Sequence, residues 1–232
     1  QDIYNALETK KIKLPFVWKS TKFGYDGFGV KIKNKKDDIE LIENKPCIIE
    51  ELIDYKKELS IIICRNLDGD YKLFPTVEME FNKISNQLET VIFPAEINDK
   101  INSEVREVAL KVADSFKNVG LLAIEMFLTI DNQILVNEVA PRPHNSGHFT
   151  IEGTMTSQFE QHIRAILDLP LGETSNKVAG VMVNLVGKKG YSGLVKFKNI
   201  EHILAIEGVN PHIYGKKKTR PYRKMGHITT II

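Results

Sequence analysis

Short apolar runs alternate with polar, turn-forming residues over the first hundred positions of the chain. Runs of this kind predict β-strands. The predicted strands of this half are Leu14–Trp18, Val30–Lys33, Cys47–Leu52, Leu59–Arg65, Tyr71–Val77 and Gln87–Phe93. The Asp68-Gly69 pair separates two of them, and glycine accepts the positive φ that a tight hairpin needs. This half is therefore predicted to be mostly sheet.

A longer apolar period appears further along the chain. Apolar residues recur every three or four positions over 102–119, which predicts an amphipathic helix with Ser103 as its cap. A second helix is predicted at Thr156–Leu167. Its predicted inner face carries Phe159, Ile163 and Ile166. The polar stretch Gly172–Lys177 predicts a boundary, so the fold class is α+β with a small, mostly-β C-terminal domain at 178–232.

Composition narrows the class of protein. The chain has 232 residues, of which 42% are hydrophobic and 27% charged, as in soluble globular proteins. The chain has 32 basic and 30 acidic side chains, a formal net charge of +2. No overall electrostatic field therefore favours binding to nucleic acid or to an anionic membrane. Cys47 and Cys64 lack metal-ligand spacing and predict a reduced, cytoplasmic location. No apolar run reaches the roughly 18 residues of a membrane span. The chain opens at Gln1 rather than methionine, so we expect it to begin inside a longer polypeptide.

A glycine-rich segment with a lysine before it is the first candidate for chemistry. Lys19 ends a predicted strand, and Gly24, Gly27 and Gly29 follow. Glycines let backbone amides approach a phosphate, and the lysine supplies a compact positive charge. A turn without any ligand is the alternative. The segment is not a Walker loop, because no Gly-Lys-Ser/Thr opens a helix there.

Two glutamates occupy neighbouring predicted strands, Leu121–Ile130 and Gln133–Val139. If Asp131-Asn132 closes a hairpin, Glu125 and Glu138 lie close together on one face. Two buried like charges are unfavourable without a cation between them, and hard oxygen ligands suit magnesium. Two glutamates that face water are the alternative interpretation.

The densest group of polar side chains follows Glu138. Two prolines stiffen the backbone around Arg142, and His144, Asn145, Ser146 and His148 come directly after. A guanidinium offers a fork of donors to a small planar anion, which such a loop would suit. A polar turn without function is the alternative. A basic run at 216–224 is either a solvated charged face or a grip for one phosphate group.

Taken together, these segments resemble the 5-(carboxyamino)imidazole ribonucleotide synthetase family of ATP-grasp ligases, in the same order and over essentially the whole chain. Gly24-Tyr25-Asp26-Gly27 is similar to the glycine-rich loop of that family, and residues 137–148 are close to a family signature. Residues 157–165 and 220–227 continue the match. Phe28, Val30 and Tyr222 depart from it, where the family usually has a basic residue, a glutamine and a glycine.

The resemblance implies an ATP-grasp fold, in which two α+β lobes hold ATP, at residues 1–172. The first lobe would be partial, at 1–48, and the second would span 49–172. The C-terminal domain at 178–232 would follow. The family also has an N-terminal domain ahead of the segment that corresponds to Gln1, and this domain contributes to dimer contacts. The full-length protein is therefore expected to be a homodimer.

The resemblance implies the role of each candidate residue. Lys19, Arg142 and His144 would act on the phosphates and on bicarbonate, and Glu125 and Glu138 would bind Mg²⁺. The nucleotide would contact Lys19, Gly24, Gly27, Glu50, Glu51, Ile53 and Glu58. The second substrate, 5-aminoimidazole ribonucleotide, would contact Tyr25, Asp26, Asn145, Lys217, Arg220 and Arg223.

The implied reaction is a carboxylation in de novo purine (IMP) biosynthesis. Bicarbonate attacks the γ-phosphate of ATP, and the carboxyphosphate formed carboxylates 5-aminoimidazole ribonucleotide. The alternatives are another ATP-grasp ligase, of the glycinamide ribonucleotide transformylase or biotin carboxylase type, and a non-catalytic nucleotide-binding fragment. The expected partners are small molecules, with neither nucleic acid nor membrane among them.

Overall fold

The structure, a computed structural model, describes residues 2–22, 29–40 and 45–232. The chain forms two compact units. The first consists of Gln1–Asp54 and Lys83–Gln87, and the second of Tyr55–Asn82 and Leu88–Ile232. Both units contain sheet and helix, which confirms the α+β class.

The first unit contains a three-stranded antiparallel sheet with the order β2-β1-β3. Its elements are α1 (Asp2–Glu8), β1 (Phe16–Ser20), β2 (Val30–Lys33), a 3₁₀ helix (Lys36–Ile39) and β3 (Cys47–Glu51). Phe16, Trp18 and Ile39 form its core. Successive side chains of a strand point to opposite faces. Lys19 therefore lies on the face opposite the buried Trp18.

The second unit is built on a nine-stranded antiparallel sheet. Its main path is β12-β14-β10-β7-β6-β4-β8-β9, and β5 pairs with β4. The strands are β4 (Tyr55–Arg65), β5 (Tyr71–Leu73), β6 (Val77–Phe81), β7 (Leu88–Phe93), β8 (Gly120–Thr129), β9 (Ile134–Ala140), β10 (Gly180–Val186), β12 (Val209–Ile213) and β14 (Lys224–Ile231). A separate small sheet pairs β11 (Gly193–Leu194) with β13 (Lys218–Thr219).

The helices of the second unit are α2 (Asp99–Phe116), α3 (Thr150–Gly153), α4 (Gln158–Ile166) and α5 (Ile200–Leu204), with a 3₁₀ turn at Asn145–Gly147. None of the helices that the structure describes is long and apolar enough to cross a membrane. The predicted strand at 71–77 is interrupted: β5 ends at Leu73, and Val77 is the first residue of β6. The two strands pair with different parts of β4.

The C-terminal strands extend the large sheet. β10 pairs antiparallel with β7, with Val183 opposite Thr90, and β14 and β12 follow on its far side. The strands before and after the polar stretch Gly172–Lys177 therefore belong to the same sheet.

The two faces of the central strands differ in what covers them. On one face, Leu59 and Ile61 of β4 and Ile124 of β8 pack against α2. On the other face, Ile62 and Ala123 pack with Ala165 of α4. Ser60 and Glu125 lie further along this second face. Ser60 comes two residues before Ile62 in β4, Glu125 two residues after Ala123 in β8, and the two are register partners. Helix packing therefore leaves a polar region on one end of the second face.

Two helix predictions are wrong in detail. α2 begins at Asp99, and its cap is Asn98, whose side chain accepts a hydrogen bond from the Ile101 N–H at 2.9 Å. Ser103 lies inside the helix and is not the cap.

The predicted inner face of α4 is its outer face. Phe159, Ile163 and Ile166 are 40%, 50% and 47% exposed. The buried residues are Gln158, Gln161 and Ala165. The reason is that the two glutamine amides bind backbone groups of neighbouring loops, which an apolar side chain cannot do.

Candidate active site

The β8-β9 hairpin brings the two predicted acids together. Its turn contains Asp131 and Asn132, and Asn132 adopts a φ of 62°, which asparagine tolerates better than most residues. Glu125 and Glu138 are direct register partners. A register shift follows, because Met126 pairs with Val136 and leaves Asn137 as an additional residue of β9. The two carboxylates therefore share one face of the sheet.

The donor set of this pair fits a hard divalent cation that has other ligands besides the protein. Carboxylate oxygens are the ligands that Mg²⁺ prefers, and in nucleotide sites one or two carboxylates act together with phosphates. Among the described residues, no group of three or more His, Cys, Asp and Glu side chains is arranged to hold a metal ion. Two carboxylates alone leave most of the coordination shell of such a cation to other oxygen ligands.

The loop after β9 returns to this pair. His144 Nε2 lies 3.4 Å from Glu125 Oε1, and both side chains are largely buried, at 13% and 15% exposure. The Ser146 N–H donates to His144 Nδ1 at 3.4 Å, so Nδ1 is an acceptor and the proton is assigned to Nε2. The imidazole therefore presents its N–H towards Glu125.

A buried chain of hydroxyl groups supports this histidine. Ser146 Oγ lies 2.9 Å from His144 Nδ1 and 2.8 Å from Ser60 Oγ. Ser60 and Ser146 are both 1% exposed. Sequence analysis did not assign Ser60 a role, because a serine within the apolar strand β4 gives no signal that it meets a residue 86 positions away.

Arg142 and Asn145 have different environments in the same loop. Arg142 is exposed, and its Nη1 donates to the Pro143 carbonyl at 3.1 Å. The other N–H donors of its guanidinium have no hydrogen bond within the described part of the chain. Asn145 forms a reciprocal amide pair with Asn184 of β10, at 2.9 and 2.7 Å. This pair ties the loop to the C-terminal strands.

Glu58 lies on the same face as Ser60, two residues earlier in β4. Tyr55 donates its hydroxyl hydrogen to Glu58 Oε1 at 2.6 Å, and its ring stacks on Phe127 at 4.6 Å. Burial raises the pKa of Glu58, and the hydrogen bond from Tyr55 opposes that shift. Burial and then Glu58 raise the pKa of Tyr55, so the phenol remains a donor.

The first unit carries the remaining nucleotide candidates. Lys19 Nζ forms an ion pair with Glu50 Oε2 at 2.6 Å. The two are diagonal neighbours on one face, because Val17 is the register partner of Glu50. Glu51 ends β3, and Ile53 lies in the irregular segment after it. The glycine-loop residues Gly24, Tyr25, Asp26 and Gly27, and the departure Phe28, lie outside the described residues.

The residues of the basic run at 216–224 differ in how near they lie to the loop at 141–148. Lys217 and Arg220 are exposed, and Arg223 Nη1 donates to the Lys218 carbonyl at 2.6 Å. In the described residues, no hydrogen bond or ion pair joins any of these three to residues 141–148. Lys224 lies near enough to His148 to affect it: burial lowers the pKa of His148, and the charge of Lys224 adds to that shift.

Comparisons with known proteins show which family the chain is similar to. Residues 2–159 match the family model described as ATP-grasp domain, and residues 180–232 match the phosphoribosylaminoimidazole carboxylase C-terminal domain. The N5-carboxyaminoimidazole ribonucleotide synthase of Bacillus subtilis (strain 168) is 43% identical over 97% of this chain and 60% of its own length.

Solved structures give the same result. The N5-carboxyaminoimidazole ribonucleotide synthetase from Thermotoga maritima aligns with a TM-score of 0.87 and 45% identity over 97% of this chain and 59% of that chain. The synthase from Aspergillus clavatus, in complex with ADP and 5-aminoimidazole ribonucleotide, aligns with a TM-score of 0.88 and 33% identity over 100% and 61%. The chain spans about three fifths of the length of each of these three relatives.

The fold and the family match define an ATP-grasp protein, which confirms the predicted fold class. Within that class, the chain belongs to the N5-carboxyaminoimidazole ribonucleotide synthetase family.

Proposed function

We propose that the chain takes part in the ATP- and bicarbonate-dependent carboxylation of 5-aminoimidazole ribonucleotide in purine biosynthesis. The observation that carries this proposal is the opposed pair Glu125 and Glu138 with His144 Nε2 3.4 Å from Glu125. The names of the relatives support the choice of reaction.

The proposed reaction has two steps. A bicarbonate oxygen attacks the γ-phosphorus of ATP, the bond to the ADP oxygen breaks, and carboxyphosphate and ADP form. The exocyclic amine of 5-aminoimidazole ribonucleotide then attacks the carboxyl carbon. The new C–N bond replaces the bond to phosphate, which leaves as inorganic phosphate, and the amine loses a proton.

The residues of the second unit would bind and orient the reacting groups. Glu125 and Glu138 would hold Mg²⁺, which when bound offsets negative charge on the phosphates. Arg142 has donors in a planar fork that matches the oxygens of bicarbonate, and His144 would donate its Nε2–H to the same anion. Donors fixed before the reaction stabilise charge that develops in the transition state.

The other assignments rest on the family resemblance. For ATP we propose Lys19, Gly24, Gly27, Glu50, Glu51, Ile53 and Glu58. For 5-aminoimidazole ribonucleotide we propose Tyr25, Asp26, Asn145, Lys217, Arg220 and Arg223. A homodimeric, cytoplasmic protein completes the proposal, and the free cysteines Cys47 and Cys64 agree with a reducing compartment.

The test is ATP hydrolysis by the purified chain with Mg²⁺, bicarbonate and each candidate acceptor. We expect turnover that requires both bicarbonate and 5-aminoimidazole ribonucleotide. Stimulation by formate with glycinamide ribonucleotide would replace the proposal with another ATP-grasp reaction. Binding of Mg-ATP in calorimetry without turnover at any substrate concentration would identify a non-catalytic nucleotide-binding protein.

A further inference from the structure

Gln158 is a completely buried polar residue at the start of α4, and its side-chain amide faces the loop that carries Arg142 and His144. Its Oε1 accepts from the His144 N–H at 2.9 Å, and its Nε2 donates to the His144 carbonyl at 2.8 Å. The amide thus pairs with one residue's backbone as a neighbouring strand would. Two hydrogen bonds to the same backbone fix both its position and its orientation.

The backbone partners also settle which way the amide points. A flipped amide would place its NH₂ group against the His144 N–H and its oxygen against the His144 carbonyl, so both bonds would be lost. In the observed orientation Nε2 donates its second hydrogen to His148 Nδ1, and the two nitrogens are 3.1 Å apart. All three hydrogen bonds of the Gln158 side chain are therefore made with residues 144 and 148.

The surroundings hold Gln158 itself in place. Its own N–H donates to Thr150 Oγ1 at 2.9 Å, and that hydroxyl donates to the Gly147 carbonyl at 2.7 Å. A Cβ on Gly147 would lie 2.7 Å from Gln158 Oε1, so only glycine lets the loop wrap this closely around the amide. The loop and α4 are thus locked together by contacts on both sides.

We propose that Gln158 is a positioning residue for the reaction, one that holds the backbone of His144 so that its imidazole and the adjacent Arg142 meet the anion. The inference rests on the proposed function for the roles of His144 and Arg142. Gln158 touches no reacting atom in this scheme and acts only through the loop. Displacement of a catalytic group by about 1 Å lowers turnover by up to roughly 100-fold.

The chain supplies a matched control on the same helix. Gln161 is also completely buried, and its amide makes the same kind of clamp on another loop. Its Nε2 donates to the Gly172 carbonyl at 2.9 Å, and its Oε1 accepts from the Gly172 N–H at 2.8 Å. Methionine has a similar shape without hydrogen bonds, so Gln158→Met and Gln161→Met remove equivalent clamps from different loops.

Two measurements on the purified chain separate the outcomes. In hydrogen–deuterium exchange, we expect Gln158→Met to speed exchange at residues 144–149 and not at 169–175, with the reverse for Gln161→Met. In bicarbonate-dependent turnover, we expect Gln158→Met to lower kcat by about 10- to 100-fold and to change KM for ATP by less than about 3-fold. Gln161→Met should keep kcat within about 3-fold.

Unchanged exchange at 144–149 in Gln158→Met, or an equal fall in kcat in both variants, would overturn the inference. Gln158→Asn is the second variant if the methionine protein does not fold. It keeps a neutral amide but is one methylene shorter, so it cannot make the same two bonds to the His144 backbone and should still speed exchange at 144–149. A wild-type chain without turnover would count against the proposed function alone, because the exchange measurement then decides the role of Gln158.

Discussion

Glu125 of β8 lies directly opposite Glu138 of β9, with both carboxylates on the sheet face that α2 does not cover. Like charges directly opposite each other on neighbouring strands are destabilising. A divalent cation held between them, as proposed above, would relieve that repulsion and add bonds to both carboxylates.

Glu138→Gln removes one charged metal ligand and should reduce Mg²⁺-dependent turnover by at least about 100-fold. The free energy of unfolding should stay within about 1 kcal/mol, because Glu138 is exposed and the change also removes repulsion. The measurements are turnover over a magnesium titration and denaturant unfolding. Glu80→Gln, on an exposed position of β6, is the control and should resemble wild type. Normal turnover in Glu138→Gln would remove that residue from the site.

Gly147→Ala should destabilise the protein by about 1–3 kcal/mol through overpacking. The added Cβ would lie 2.3 Å from Ile62 Cδ1 as well as close to Gln158. Ile62→Val deletes that Cδ1 atom, so the double variant should recover part of the loss. A double-mutant cycle of unfolding free energies measures the coupling. Additive effects of the two changes would show that Ile62 is not the limiting contact.

On α4, Gln161→Ala should cost more stability than Ile163→Ala. Loss of the Gln161 amide leaves the Gly172 N–H and carbonyl without their partner in a buried site, at a cost of about 1–3 kcal/mol. Ile163 is half exposed, and its truncation should cost less than about 1 kcal/mol. Denaturant unfolding of the two variants gives the comparison. The opposite order would mean that α4 packs through its apolar side.

The error on α4 shows what apolar periodicity leaves out. The spacing of Phe159, Ile163 and Ile166 is that of a buried stripe, yet these side chains face outward. The helix instead packs through Gln158 and Gln161, because nearby loops expose backbone groups that need partners. Those loops are distant in sequence from any signal in the helix, so the pattern alone favoured the wrong face.

Features that depend on adjacent residues were predictable. Asp131 and Asn132 marked the hairpin, which pairs Met126 with Val136. That register alone would place Glu125 opposite Asn137, and the additional residue Asn137 brings Glu138 opposite Glu125 instead. The Ser60–Ser146 contact was not predictable, since it depends on how a loop returns to a strand 86 positions earlier. Local turn chemistry therefore predicted the hairpin, while a β-bulge set the opposition of the two acids and tertiary packing determined the groups that hold His144.

The second unit also contains three stacked histidine rings. His227 lies between His148, at 4.7 Å between ring centroids, and His212, at 4.4 Å. His227 is 2% exposed, and its Nδ1 lies 2.9 Å from the hydroxyl of Tyr214. Burial, with smaller contributions from neighbouring charges, lowers the pKa of His148 to about 4 and that of His227 to about 3. Both rings are therefore neutral in the folded protein near neutral pH.

This stack predicts a loss of stability in mild acid. An unfolded histidine takes up a proton near pH 6.5, whereas folded His148 and His227 do so only near pH 4 and 3. Between these values the unfolded state binds more protons, so the free energy of unfolding falls as the pH falls. The slope approaches about 1.4 kcal/mol per pH unit for each histidine.

Denaturant unfolding from pH 7.5 to 4.5 tests this prediction, with His227→Gln as the comparison. Glutamine does not titrate in this range, so the slope of unfolding free energy against pH should be smaller in the variant by up to about 1.4 kcal/mol per pH unit. Carboxylates contribute equally to the slopes of both proteins. Substitution of the exposed His202 by glutamine is the control and should leave the slope unchanged, because this side chain lies in solvent outside the stack. If wild type and His227→Gln show the same slope, His227 does not resist protonation, and burial within the stack does not keep it neutral.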